Sequence, residues 1–304
     1  MRSTGILQFV ALCVCLAGMS TMLMANAESV HEPNNAISYD SMMRRLFRES
    51  MENRYVGSDV PVARQFSVLN VDDLGAEGDG ILSKACMEYW MVQALRVTIF
   101  AGNAVPTNYC PFGPFGAAIV NVYDRNASNP HDEYGNNCGR LLETNSGIAE
   151  IRFHNPMMHG EINAILRLSD CNLHPEYCNS AGHFIYAQNK TWWNQLYLFT
   201  TAASCIADAG SEILAGPQKI IQGVTVRDLL ENGWTQPSFI EPELFYASAR
   251  QSDGVQQLIK GVKRDWLLQY YDWQYRNATK GCPEGCAVST NPTTYASRCV
   301  SVGF

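Results

Sequence analysis

The stretch "QLYLFTTAASCIADAGSEILAGPQKIIQGV", residues 195–224, limits the possible folds more than any other part of the chain. "QLYLFTT" and "QKIIQGV" are short runs rich in aliphatic, aromatic and β-branched residues, the composition of buried strands. Between them "SCIADAGSEILAG" spaces its apolar residues as a helix does, and Gly216-Pro217 stops it, since proline cannot continue the helical ladder. A strand, one helix and a second strand in immediate succession predict parallel neighbours joined by a right-handed crossover. The chain is therefore expected to be α/β.

The flanking segments extend that pattern. "SKACMEYWMVQALRVTIFAG" reads as a helix with Ser83 as its N-cap and Gly102 near its stop. "PFGAAIVNVYD" (114–124) and "GRLLETN" (139–145) read as strands around the polar hairpin loop "DRNASNPHDEYGNNCG". In "HNPMMHGEINAIL" Asn155 is the expected N-cap and Pro156 the first helical residue, with Ile162, Ile165 and Leu166 facing the core. "TVRDLLENG" and "GVQQLIKGVKRDWLLQYYDWQYRN" read as two more helices, the second packing its aromatics into the core. Upstream, "DSMMRRLFRES" has Met42, Met43, Leu46 and Phe47 at helical spacing, and "DDLGAEGDG" reads as a solvated turn without calcium-loop spacing. These elements predict a three-layer α/β/α domain over residues 81–277, with a mixed central sheet of about five strands. An extension (28–80) precedes it and a Cys-rich tail (278–304) follows.

Residues 1–27 form a separate unit. Arg2, the apolar run "ILQFVALCVCLAG" and the small residues Ala25 and Ala27 have the order of a secretory signal peptide cleaved after Ala27. The run is short for a bilayer span, and no later stretch is apolar enough for one, so the cleaved chain is expected to be secreted and free of membrane. Cysteine usage agrees. Of the 11 cysteines, Cys13 and Cys15 leave with the leader, and Cys86, Cys110, Cys138, Cys171, Cys178, Cys282, Cys286 and Cys299 form an even set that an oxidising compartment would pair. Cys171/Cys178 and Cys282/Cys286 are close enough to be partners, though spacing leaves the connectivity open. "GCPEGC" lacks the second pair a zinc ribbon needs. Sequons at Asn126, Asn189 and Asn277 fit a secreted glycoprotein. The net charge of −7 becomes one unit more negative when Arg2 is lost. An acidic surface without a Lys/Arg cluster repels phosphate backbones, which disfavours a polymeric nucleic acid partner.

Cys205 is the cysteine left over, and it sits in the first turn of the crossover helix. Asp208 lies three residues on, one turn along the same face, so its carboxylate can share an ion with the sulfur. His159 occupies the first turn of the other helix. An imidazole, a thiolate and a carboxylate are a zinc donor set with one position left for water. A helix N-terminus is expected to lower the Cys205 pKa and favour thiolate. Glu161, two residues from His159, can face the same cavity without ligating and shuttle a proton from water to a leaving ammonia. His154, His174 and His183 read as satisfied or exposed loop histidines.

"HNPMMHGEINAI" closely resembles the H-x-E half of the zinc nucleobase deaminase signature, and "PFGAAIV" resembles the strand that comes before it. "LYLFTTAASCIADAGSEILAGPQKIIQGV" is similar to the second half. With the element order, the likeness covers roughly residues 83 to 275 and identifies a cytidine deaminase-like domain. Asn155-Pro156 and Gly233-Trp234 are similar to the guanine deaminase and tRNA adenosine deaminase branch. The resemblance implies that His159 and Cys205 hold zinc and Glu161 carries the proton. It also implies that Asn145 and Phe115 contact the base, that the substrate is a free base or nucleoside, and that the chain forms a homodimer. This chain departs from the family at Ala203-Ser204-Cys205-Ile206-Ala207-Asp208, where Asp208 stands in place of the family's second cysteine. The carboxylate is a harder, less charge-donating ligand than thiolate. Three classes fit these residues: a secreted zinc-dependent deaminase, a deaminase-fold protein that binds a small molecule or protein without turnover, and a hydrolase using Cys205 and His159 as nucleophile and base.

Overall fold

The computed structural model describes residues 66–102, 110, 113–125, 138–147, 158–186, 189–234, 240–249, 255–273, 281–288 and 299–301. All of them fall within one compact unit, Ser50–Phe304. The leader, the 40–50 segment, His154, Asn155, Pro156 and two of the sequons, Asn126 and Asn277, lie outside the described residues. The strands of the main sheet are β1 (Ser67–Asn70), β2 (Gly116–Asn121), β3 (Arg140–Ser146), β4 (Leu196–Ala202), β5 (Lys219–Val224) and β6 (Gln257–Lys260). The helices are α1 (Lys84–Gly102), α2 (Gly160–Leu168), α3 (Lys190–Trp193), α4 (Ile206–Ala215), α5 (Val226–Glu231), α6 (Pro242–Ser248) and α7 (Arg264–Asp272).

The six strands form one mixed sheet in the order β1-β6-β5-β4-β2-β3. β4, β5, β6 and β1 run parallel, and β2 is antiparallel to both β3 and β4. Strand alternation divides the apolar residues between two faces. Ala118, Val120, Tyr197, Phe199, Ile221 and Ile259 pack with Trp90, Met91 and Leu95 of α1, Leu229 of α5 and Leu267, Tyr270 and Tyr271 of α7. Ala117, Ile119, Leu196, Leu198, Ile220 and Leu258 pack with Ala164 and Leu168 of α2, Trp193 of α3, Ala209 and Ala215 of α4 and Tyr246 of α6. The result is the expected three-layer α/β/α sandwich. Every residue of β2, β4 and β5 is buried, which is why those strands read as continuous apolar runs. No helix among the described residues is long and apolar enough to cross a membrane.

Local signals hold at several places. Ser83 Oγ accepts the Cys86 N–H at 3.2 Å and caps α1. Gly216 ends α4 with a positive φ of 80°, and its N–H reaches Glu212 O at 2.8 Å.

Other expectations are corrected. The sheet expected to hold about five strands has six, and two of them, Ser67–Asn70 in the N-terminal extension and Gln257–Lys260, are not among the segments read as strands. The single helix read over 254–277 is instead β6 followed by α7, with the chain turning at Gly261 (φ 86°) and at Lys263, a non-glycine residue at φ 56°. Leu258 and Ile259 are both fully buried on opposite faces of the sheet, and a helical reading of two adjacent apolar residues misses that alternation. α2 begins at Gly160 with His159 as its cap, four residues later than Pro156 would place it. Ile162 is buried as expected, but Leu166 is 54% exposed and Leu168 takes the core position. Leu166 lies two residues from both Ala164 and Leu168, hence on the opposite side of the helix.

Asp79, read as part of a solvated turn, is a buried anchor. It accepts hydrogen bonds from Lys219 Nζ (2.6 Å), Tyr197 OH (2.7 Å) and the N–H groups of Ile81 (2.9 Å) and Leu82 (2.8 Å). The disulfides are Cys86–Cys138, Cys171–Cys178, Cys110–Cys286 and Cys282–Cys299. Cys171 thus bonds its near neighbour, whereas Cys282 and Cys286 pair apart. The hairpin of β7 (Cys286–Val288) and β8 (Cys299–Ser301) folds Cys299 back to Cys282, and Cys286 reaches Cys110. Cys205 is the free cysteine among the described residues.

Candidate functional site

The site is built from two helix entries. His159 is the N-cap of α2 and Cys205 the N-cap of α4, each with extended backbone angles, φ −72° and φ −74°. Both helices cover the same sheet face, so the first turns of α2 and α4 meet. His159 Nδ1 lies 2.8 Å from Asp208 Oδ2 and 3.5 Å from Cys205 Sγ. The Cys205 backbone N–H donates to the same Asp208 oxygen at 3.1 Å, so a reciprocal cap holds the two α4 residues together. One donor atom from each of the three residues lies within 4.8 Å of the other two. Tetrahedral zinc with bonds near 2.0–2.3 Å spaces its donors by about 3.3–3.8 Å, so side-chain rotations that part His159 from Asp208 would bring the donors to that spacing.

The donor set fits a cation on a second ground. Asp208 is 2% exposed, and its Oδ1 is buried with no hydrogen-bond partner. An orphaned buried acceptor costs about 1–3 kcal/mol, a penalty that ligation removes. Without an ion, the hydrogen bond to Asp208 is the largest influence on His159, and with Cys205 it pushes the imidazole up to about 12. Burial pushes the Cys205 thiol up to about 11, against the hydrogen bond from His159. The helix N-terminus was expected to lower that thiol. Desolvation outweighs it here, and a bound cation is what would restore the thiolate.

Glu161, in the first turn of α2, is 5% exposed and shares a hydrogen bond with Thr200 Oγ1 of β4. Burial foremost, then the charge of Asp208, pushes its carboxyl up to about 7. Thr200 Oγ1 also donates to Ala202 O at 2.8 Å. The single hydroxyl proton therefore serves two acceptors, Ala202 O and Glu161 Oε1, and the bond from Thr200 favours the carboxylate against burial. Glu161 is therefore a buried acid balanced between its two forms near neutrality, the property a proton shuttle needs.

The other two candidates reach the site through their backbones. A Cβ placed on Gly160 would stand 3.1 Å from Phe115 O and 3.4 Å from Asn145 O, so both residues border the α2 entry. Their side chains are engaged elsewhere. Asn145 Oδ1 accepts the Ser146 N–H at 2.8 Å, and the Phe115 ring packs edge-on against Trp234 and Tyr271 with centroids 5.1 and 5.5 Å apart. His174, between Glu143 (3.0 Å) and Glu176 (3.4 Å), is a satisfied loop histidine.

Sequence reasoning passed over Glu212. It is fully buried in α4, and burial foremost, then the charge of Glu161, holds its carboxyl well above the usual range. Ser204 Oγ donates to its Oε1 at 2.9 Å, and Tyr246 OH bonds its Oε2. The signal was legible: Glu212 follows Asp208 by one helical turn, an acid on a stripe otherwise occupied by Ala209 and Ala215.

No protein-family model matches the chain, and no curated protein matches it. Among solved structures it is similar to a guanine deaminase from Nitrosomonas europaea, at 18% identity over 61% of this chain and 84% of that one, with a TM-score of 0.39. A structure from a study of tRNA:A34 deaminases matches at 14% identity over 60% of this chain and 98% of that one, TM-score 0.38. A guanine deaminase from Bacillus subtilis matches at 19% identity over 49% and 71%, TM-score 0.32.

Proposed function

We propose that this protein is a secreted, zinc-dependent hydrolytic deaminase of a free nucleobase or nucleoside, with a purine such as guanine or adenosine favoured. The observation that carries the proposal is the convergence of His159, Cys205 and the half-orphaned Asp208 beside a buried Glu161. His159, Cys205 and Asp208 would hold the ion. When bound, zinc supplies a Lewis acid and lowers the pKa of water at the site. Glu161 takes a proton from the attacking water and returns it to the departing amine, so that a ring C–NH₂ and water become a carbonyl and ammonia. Thr200 fixes the carboxyl in place for both transfers, and the packed α2–α4 entry keeps bulk solvent from competing for the proton. Asn145 and Phe115 would turn toward the base once it is bound. The acidic chain and the absence of a basic cluster support a small substrate over a polynucleotide.

The test is elemental analysis of protein recovered from an oxidising compartment, together with ammonia release from guanine, adenosine and cytidine. One equivalent of zinc and release from at least one substrate are expected. Finding neither zinc nor ammonia release would overturn the reading. N-terminal sequencing of the exported chain should begin at Glu28, and a product retaining residues 1–27 would remove the secretory part of the proposal. A non-catalytic binder is the second reading, favoured by the direct His159–Asp208 hydrogen bond, in which the two groups satisfy each other without an ion. It predicts stoichiometric base binding with no turnover.

A further inference from the structure

We infer that Glu212 is a positioning residue for the sulfur donor: its carboxyl clamps Ser204, the residue before Cys205, to Tyr246 on α6, and so sets where the Cys205 side chain points. The inference deepens the proposed function, since it takes Cys205 as a metal ligand. The geometry is closed on all sides. Ser204, Glu212 and Tyr246 are 2%, 0% and 1% exposed, and both carboxyl oxygens are engaged, Oε1 by the Ser204 hydroxyl at 2.9 Å and Oε2 by the Tyr246 hydroxyl. Tyr246 is itself backed by the Phe66 ring, with centroids 5.7 Å apart.

An aliphatic residue at 212 would fill the space between Ala209 and Ala215 but leave the buried Ser204 and Tyr246 hydroxyls without this partner. A carboxyl there carries the cost of desolvating a polar group, so its presence calls for a reason beyond filling space. The clamp supplies one. Cys205 is an N-cap in extended conformation, and Asp208 holds its N–H from the helix side. On its other side the chain is held at residue 204, by the bond from Ser204 to Glu212 in the second half of α4. Tyr246 then ties the same carboxyl to α6, so the sulfur is referenced to two helices. Groups that support metal ligands from behind in this way change metal affinity by about 10–100-fold when removed.

The test uses the full exported chain, stripped of metal, with the variants S204A, E212A, E212Q and Y246F. Cobalt(II) titration reads affinity and the thiolate-to-cobalt charge-transfer band. Alkylation of Cys205 in the metal-free protein reads the thiol alone, with C205S as the background. S204A and E212A are expected to weaken cobalt binding by about 10–100-fold and to dim the charge-transfer band per bound ion. They should also speed alkylation several-fold, with Y246F intermediate. E212Q keeps an acceptor for one hydroxyl and a donor for the other, and should retain most of the wild-type behaviour. Folded S204A and E212A with unchanged alkylation and an unchanged cobalt band would overturn the inference. If E212A fails to fold, S204A decides, since it removes a single oxygen. If the wild type binds no cobalt, the deaminase reading falls and the alkylation rates alone judge the clamp.

Discussion

Replacing Asp79 with alanine should be among the most damaging single substitutions outside the site. Each carboxylate oxygen accepts two hydrogen bonds, one from Ile81 and Leu82 N–H and the other from Lys219 Nζ and Tyr197 OH. The Asp79 side chain is 1% exposed and that of Lys219 is 11% exposed. Removing the carboxylate leaves a nearly buried ammonium and a buried hydroxyl without an acceptor, and breaking such a pair costs about 3–5 kcal/mol. The two loop N–H groups are better placed to find water, so the expected loss is about 4 kcal/mol. Lys219→Met leaves Asp79 with its three other donors and should cost about 1–2 kcal/mol. The double variant no longer buries an unpaired charge, so the cycle should show a coupling of about 2 kcal/mol. Urea unfolding midpoints at constant m measure all four species.

The effect should also depend on pH. Burial raises the Asp79 pKa, but the hydrogen bonds from Lys219, Tyr197, Leu82 and Ile81 outweigh it and the net shift is downward. A depressed folded pKa means a contribution fully present above the unfolded value, about 3.9, and lost as pH falls through the folded value. The gap between wild type and D79A should therefore be widest near neutrality and close on acidification below about pH 4. An alanine variant losing less than about 1.5 kcal/mol, or a coupling under about 0.5 kcal/mol, would refute the reasoning.

Glu161→Gln should lower turnover by at least about 10²-fold while zinc content stays at the wild-type level, and activity that survives would remove Glu161 as the shuttle. Asp208→Cys should tighten zinc in a chelator competition, because thiolate donates more charge than carboxylate; weaker binding would show that the oxygen donor suits this site better. Gly116→Ala should destabilise by about 3 kcal/mol in thermal or urea unfolding, since the new Cβ would stand 1.9 Å from Ala94 O, and a main-chain oxygen cannot rotate away. Removing the Cys86–Cys138 disulfide, which closes a separation of 52 residues, should cost about 4 kcal/mol by loop entropy; an unchanged midpoint would mean that the unfolded chain is not expanded by its loss.

How much of this protein was legible in its sequence depends on the range of the interactions involved. The β4–α4–β5 unit was clear because each element carries its own period and its own stop, down to Gly216 in the left-handed conformation. The donor set was clear for the same reason: Cys205 and Asp208 are one turn apart, and an H-x-E pair opens a helix. The strands at Ser67–Asn70 and Gln257–Lys260 were not, because four residues hold too few alternations to distinguish a strand, and what makes them strands is pairing with distant segments, β1 with β6 and β6 with β5 as well. Leu166 was misplaced because the helix start was set by local capping chemistry, whereas packing against the sheet decided which face turned inward.

The sequence by itself determined the layered α/β architecture, the supply of ligand-type side chains and an even set of eight cysteines beside Cys205, since these follow from composition and short-range periodicity. Only the tertiary structure decided that Cys282 bonds Cys299 rather than Cys286, that Asp79 is a buried anchor, and that the Cys205 thiol is raised rather than lowered. It alone brought Ser204, Glu212 and Tyr246 into one hydrogen-bonded clamp. Each of these outcomes turns on desolvation or on the approach of groups distant in the chain, and both quantities exist only once the layers have closed.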